Sequence, residues 1–405
     1  MFFSMKEKCE LNIVAYKTLA GQSFPIGSLG DSDLRLRVQN TTEDECREYA
    51  AALENLGYRR CAAKEIPAGT EYAYNTNLFY TYQNENSNVF IFWVATMRTV
   101  FITVEPLGGI PSVQVAQSCD EKKVAPTFTQ FRLPNGMGFA TQLQNGEFIL
   151  VDGGIKDTET SEQLYAFLKE KAVDGKPNIA LWIFTHCHKD HIGLPTEFLT
   201  TYQGKVSVQA FAYQFPNCDK VEVAMESVAD RKQAIADLET IIQDGYPNAV
   251  VYTLHTGQSY FYAGVEIEIL YSLDDTYPYP YLSFNDMSVA FRMRFENGQT
   301  ILLLGDSQNM ACKAMADRYG DYLKSDFLQV AHHGLIGGDK RLYQMIDPEV
   351  CFWATTETRF LGRKPNQRYQ WCIGEGGCDY NAYLRDENIR RRTHYHGSKT
   401  TTIKV

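Results

Sequence analysis

The segment Thr185-His186-Cys187-His188-Lys189-Asp190-His191 places three imidazoles and a carboxylate within six residues. The chain has only eight histidines, and five of them fall here and in the pair His332-His333. Neutral imidazole with carboxylate suits Zn²⁺, with Mn²⁺ or Fe²⁺ as substitutes. The rival reading is a polar loop with chance histidines. It fares worse, because a buried strand emptying into unpaired imidazoles and a carboxylate is costly. His186 and His188 alternate, so both rings can point one way from extended backbone. Cys187 then points away from the ions and reads as core filler.

The elements that must position these groups are legible in outline. An apolar strand over 178–184 runs into the histidines and a helix over 192–201 follows them. Around these, strands are expected at 127–133, 138–144, 147–152, 205–212, 249–254, 264–271, 287–296, 299–304, 326–331 and 350–354. Helices are expected at 160–172, 225–243 and 308–319. Asn145-Gly146 between apolar runs signals a hairpin. Upstream, Thr42 with Glu45 forms a capping box and Gly57 a stop. Cys46, Tyr49, Ala50, Leu53 and Leu56 make one apolar face between them. Strands at 77–82, 89–95 and 99–104 complete a helix on an antiparallel meander. We therefore expect a small α+β domain over 1–105, structural or partner-facing, through which the chain could oligomerise. A linker over 106–126 and a main domain over 127–405 follow, the latter with a basic C-terminal extension.

Composition limits the function. The chain has 405 residues, 39 Lys and Arg against 49 Asp and Glu, and a net charge of −10. So acidic a chain is a poor candidate for strong nucleic-acid binding. No run of 18 apolar residues is present, so no membrane-spanning helix is expected. The ten cysteines stand singly, without a C-x-x-C pair, which fits a reducing compartment. The charged opening residues lack a secretory pattern, and a cytoplasmic location is expected.

His-x-His-x-Asp-His at the end of an apolar strand resembles the metallo-β-lactamase superfamily. Leu302-Leu303-Leu304-Gly305-Asp306 is similar to its strand bearing a metal-bridging aspartate. Asp326 through His332-His333-Gly334 is similar to the strand with the last ligand. Asn285-Asp286-Met287-Ser288 resembles the competence-protein (ComEC-like) branch, to which phosphorylcholine esterases are related. The resemblance covers roughly residues 127–355. It implies an α/β fold, a four-layer αββα sandwich, holding two divalent cations, most simply Zn²⁺. His186 and His188 would bind the first ion, Asp190 and His191 the second, and Asp306 would bridge them. His332 is preferred over His333 as the last ligand, on the ground that consecutive strand residues face opposite ways. His333 would then touch substrate or stand behind a ligand.

The superfamily usually supplies one more histidine to the first ion, just before the strand that begins here near Ser288. None is present, and Asn285 or Asp286 is the expected substitute. His255, far upstream, reads as a strand-end residue without a role.

The chemistry implied is hydrolysis. Two cations about 3.5–4 Å apart can share a hydroxide and bring its pKa toward neutrality, with Asp190 orienting it and accepting its proton. Tyr279 and Tyr281 in an aromatic loop, and Arg391 in a basic stretch, are candidates for holding a small anionic ester. A phosphodiester or phosphoryl ester is the first expectation. A thioester, lactone or lactam would suit the same ions, and a non-catalytic metal-binding sensor or scaffold is the reading outside enzymology.

Overall fold

The computed structural model describes residues 33–67, 76–108, 122–221, 223, 226–276, 283–356 and 381–405. It begins with strand β1 (Leu34–Gln39) and helix α1 (Glu43–Asn55). The capping box forms as read. The Thr42 hydroxyl accepts from Glu45 N, and the Glu45 carboxylate accepts from Thr42 N. Cys46, Tyr49, Ala50 and Leu53 are buried, but Leu56 is the C-cap and lies 57% exposed. Strands β2 (Arg59–Pro67), β3 (Thr76–Gln83), β4 (Ser87–Val94) and β5 (Thr99–Pro106) complete an antiparallel sheet ordered β1-β5-β4-β3-β2. Along β4, residues alternate between its two faces. Val89, Ile91 and Trp93 pack with α1, while Phe92 and Val94 join the core of the next unit.

That unit is two sheets back to back. The chain runs through β6 (Thr127–Gln130), β7 (Gly138–Gln142), β8 (Phe148–Asp152), α2 (Thr158–Lys171), β9 (Asn178–Ile183), α3 (Lys189–Thr201), β10 (Ser207–Val208), β11 (Ala210–Tyr213), α4 (Val228–Gly245) and β12 (Val250–Thr253). It continues through β13 (Ser259–Tyr262), β14 (Val265–Tyr271), β15 (Ala290–Phe295), β16 (Thr300–Leu303), α5 (Asn309–Tyr319), β17 (Phe327–Gln329), α6 (Lys340–Ile346), β18 (Val350–Trp353), β19 (Thr393–His396) and β20 (Thr401–Lys404). One sheet is ordered β12-β11-β9-β8-β7-β6-β20, with β10 also on β9, and the other β13-β14-β15-β16-β17-β18-β19.

Ile149 and Val151 of β8 face the second sheet, meeting Ile267, Phe291 and Leu303 in a shared core. Phe148 and Leu150 face the other way, into the layer of α2, α3 and α4. The far side of the second sheet is covered by α5, α6 and the N-terminal sheet. The architecture is therefore α/β with the four layers αββα, preceded by a helix on an antiparallel sheet. No described helix is long and apolar enough to cross a membrane.

The sequence reading did not place β1, β2, α6, β13, β19 or β20. Strand β13 and the C-terminal pair β19 and β20 are edge strands of three or four exposed or half-buried positions, too short for an alternation to register. The basic C-terminal stretch is thus not a loose extension: β19 pairs parallel with β18, and β20 antiparallel with β6. Arg390 and Arg392 are bound to Asp347, and Arg390 also to Glu349.

The N-terminal sheet is fixed to the sandwich by buried ions. Asp274 accepts from Arg35 Nη1 at 2.6 Å and from His255 Nδ1 at 2.8 Å. His255 Nε2 lies 3.2 Å from Glu105, and the ring stacks on Phe90 at 3.7 Å between centroids. His255, read from the sequence as idle, is a docking residue. Arg318 pairs with Asp275, and Asn77 Nδ2 donates to the Arg318 carbonyl at 2.9 Å.

Candidate metal centre

The chemistry-bearing residues all follow the carboxyl ends of parallel strands, where α/β sheets leave an open crevice. Strands β8 and β9 are parallel neighbours, as are β16 and β17. Asp152 ends β8, and His186 through His191 follow β9 into α3. Asp306 follows β16, and His332 and His333 follow β17. Gly305, at φ +57°, turns the chain toward the crevice, and a Cβ there would lie 2.9 Å from Ser288 Cβ. The Gln329 side chain locks this turn. Its Oε1 accepts from Leu304 N and Gly305 N, each at 2.8 Å, and its Nε2 donates to the Gly305 carbonyl at 3.0 Å.

Asp306 is the hub. Its Oδ2 lies 3.2 Å from His191 Nε2, 3.3 Å from His333 Nε2, 3.7 Å from His332 Nε2 and 3.8 Å from His186 Nε2. His333 Nε2 is also 3.5 Å from Asp190 Oδ2. Two overlapping triads result: His186, His191 and Asp306, and Asp190, His191 and His333, each with ligand atoms within 4.8 Å of one another.

The pair His332-His333 does not follow the alternation assumed from sequence. Strand β17 ends at Gln329, and both histidines adopt left-handed backbone, φ +48° and +57°. Consecutive side chains can then face one side, and both rings approach Asp306. His333 is the one that also meets Asp190.

Each ring is held by its outer nitrogen. His191 Nδ1 donates to Asp152 Oδ2 at 2.7 Å, and His186 Nδ1 to Thr185 Oγ1 at 3.1 Å. His332 Nδ1 donates to the Ile336 carbonyl at 2.7 Å and His333 Nδ1 to that of Ala354 at 3.1 Å. His188 differs, its Nε2 bonding to Glu226 Oε2 at 2.6 Å. Ligating imidazoles are commonly held this way by carboxylates and carbonyls.

What remains inside is a set of atoms with nothing to bond. His186 Nε2, His191 Nε2, His333 Nε2 and Asp306 Oδ1 are all buried without a hydrogen-bond partner. Four such orphans around one point are expensive unless a further group satisfies them. The electrostatics agree. Burial disfavours charge on His191 and His333, but Asp306 outweighs it, aided by Asp152 for His191 and Asp190 for His333. The first is held well above the usual imidazole range and the second at about 9. Burial likewise opposes ionisation of Asp306, yet the surrounding imidazoles hold it well below the carboxylate range. His186 and His332, further from Asp306, are instead held below the usual imidazole range, chiefly by burial. The donor set and the orphaned atoms fit divalent cations.

The other predicted residues separate into groups. Asn285 is buried in a turn, Phe284–Met287, with an unbonded Oδ1. Asp286 faces the start of α5 instead, where its Oδ1 accepts from Gln308 N at 3.0 Å and Ala311 N at 3.1 Å. Arg391 is exposed, just before β19. Tyr279 and Tyr281 lie outside the described residues. Cys187 is buried in the helix-side core.

Three supporting residues escaped the sequence reading: Asp152, Thr185 and Glu226. Asp152 holds Thr185 N, Thr185 Oγ1 and His191 at once. Its signal was a charged residue closing an otherwise apolar strand, with Gly153-Gly154 after it. Glu226 carried no local signal.

No family model matches the chain, and no curated protein does. Solved structures similar to it include the metallo-β-lactamase fold protein YhfI from Bacillus subtilis. That likeness has 13% identity and a TM-score of 0.41, over 70% of this chain and all of that one. CmlA, a diiron β-hydroxylase from Streptomyces venezuelae, is similar at 11% identity and a TM-score of 0.41, covering 91% of this chain and 79% of that one. Human tRNase Z, short form, is similar at 14% identity and a TM-score of 0.32, covering 56% and 91%. Likeness at this level adds nothing to the geometry.

Proposed function

We propose that this chain is a metal-dependent hydrolase with two divalent cations, acting on a phosphodiester or phosphoryl ester. The observation that carries the reading is the convergence of buried, unbonded imidazole and carboxylate atoms on Asp306. His186, Asp306 and the ring of His188 would hold one ion, and Asp190, His191 and His333 the other. When bound, such ions activate water at neutral pH and polarise the ester oxygen.

The chain's own groups divide the remaining work. Asp190 sits at the start of α3, with its side chain 26% exposed, so it faces the crevice rather than the core. From there it can orient a water and accept its proton. The His332 side chain, 19% exposed beside Asp306, would meet a substrate oxygen. Asn285, buried in the turn that Glu226 holds, is a further candidate to meet the substrate. Arg390 and Arg392 are spoken for by acids, while Arg391 is exposed, so an anionic ester would be drawn mainly by the cations. The ester class is supported by the likeness of Asn285 through Ser288, and of His332-His333-Gly334, to the ComEC-like branch.

The test is hydrolysis of bis-(p-nitrophenyl) phosphate by metal-loaded protein, beside thioester, lactone and lactam substrates. A phosphodiester rate above the others is expected. A dominant thioester rate would overturn the substrate class, and no turnover at full metal loading would favour a sensor.

A further inference from the structure

A second concavity lies beside the centre. It is a cavity of about 140 Å³ between the turn that joins β6 to β7 and helix α2. Its walls are the apolar side chains of Phe131, Leu133, Leu150, Leu164, Phe167 and Leu194. Leu150 and Leu194 are buried in the core between the first sheet and its helices, so the cavity reaches inward rather than lying flat on the surface. Phe131 of the turn and Phe167 of α2 meet edge to face, 5.1 Å apart between centroids. Packed interiors keep few voids larger than a water molecule. An apolar cavity of about 150 Å³ stays dry and takes up benzene. The space here therefore suits one aromatic ring or a short alkyl chain.

The polar residues around it are spent, with one exception. Thr400 Oγ1 accepts from Arg132 N at 3.1 Å, and Gln163 Nε2 donates to Glu159 Oε1 at 3.1 Å. Thr160 Oγ1 donates to Asp157, and Asp152 accepts from Thr185 and His191. The exception is Arg132. Its side chain is exposed, and among the described residues no carboxylate pairs with its guanidinium. An unpaired planar cation beside an apolar cavity matches a carboxylate that carries an apolar group.

We propose that this cavity binds a small carboxylic acid, with its aryl ring or short alkyl chain between α2 and the turn and its carboxylate at Arg132. The proposal does not depend on the metal reading. None of the imidazoles that converge on Asp306 lines the cavity, and neither does Asp190. The occupant is thus a ligand held beside the centre, not the ester that the cations would cleave. Asp152 is the residue the two sites share, with one side in the cavity wall and its oxygens on Thr185 and His191.

The experiment is NMR of the full, Zn²⁺-loaded chain with ¹³C-labelled leucine methyls, titrated with phenylacetate and separately with phenylacetamide, its neutral isostere. Both probes are expected to shift the methyls of Leu133, Leu150, Leu164 and Leu194. Phenylacetate should bind about 2–5-fold more tightly than the amide, as suits an exposed ion pair. Arg132→Ala should remove that difference and leave the affinity for the amide unchanged. Leu164→Phe, which fills part of the cavity, should weaken both probes. If it does not fold, the exposed Arg132→Ala variant decides alone. Neither probe shifting these methyls, or acid and amide binding equally in wild type, would overturn the proposal. Phenylacetate shifting the ring signals of His186 and His191 but not the leucine methyls would place the acid on the metal centre and overturn it as well.

Discussion

Two buried clusters in this chain are made of the same side chains and behave differently. In the seam under the N-terminal sheet, Asp274 Oδ1 accepts from Arg35, Thr103 and Gln214, and Oδ2 from His255 and Ser272. Its two carboxylate oxygens are fully used, and the cations that satisfy them belong to the chain. In the crevice, Asp306 has four imidazoles within 4.0 Å of one oxygen and nothing on the other. Among the described residues, no Lys or Arg pairs with it. Burial of histidine with aspartate is thus not what marks a metal site. The mark is a surplus of inward lone pairs that the chain leaves unanswered.

That contrast can be broken at either end. The largest effect is expected from Asp306→Ala, which removes the hub. It should lower hydrolysis by at least about 100-fold and abolish tight metal binding, with little loss of fold, as read by turnover and circular dichroism. In the seam the same kind of change should act on stability instead. Asp274→Ala leaves Arg35 and His255 buried with less counter-charge and should cost about 3 kcal/mol in urea unfolding, while metal content is unchanged. Metal loss in that variant would erase the distinction between the clusters.

A milder change probes the support behind a ligand. Asp152→Asn keeps the shape and suits the left-handed backbone at this position, φ +49°. It loses the charge facing His191, and Zn²⁺ affinity by competition with a chelator should fall about 10–100-fold. The smallest effect is one of pH. Burial opposes the charge on His255, but Asp274 and Glu105 raise its pKa from 6.5 to about 9. A raised pKa means the native state holds the proton more tightly. The stabilisation from these pairs is complete below pH 6.5 and lost as pH rises through about 9. Thermal melts from pH 6 to 10 should show this decline, and His255→Gln should flatten it.

Much of the sandwich was legible because its central strands are apolar runs buried on both faces. The core strand over 178–184 and the helices beside it follow directly from apolar runs and period. What escaped were edges and supports. Strands β13, β19 and β20 bury too few residues to show alternation. Glu226 lies 35 positions beyond His191 in a polar stretch, and only tertiary folding brings its carboxylate to His188. The ligand types were readable from spacing. The orientation of His332 and His333 was not, since it depends on two left-handed residues that alternation rules cannot foresee. His255 misled for the opposite reason, as its partners Glu105 and Asp274 are far apart in the chain.

The central claim is that the atoms around Asp306 are ligands. The most direct measurement is metal content per chain after loading with Zn²⁺ and removal of the excess, with anomalous diffraction locating the ions. Two equivalents, lying between Asp306 and the rings of His186, His191 and His333, are expected. A chain that takes up no metal with those side chains gathered as described would contradict the account.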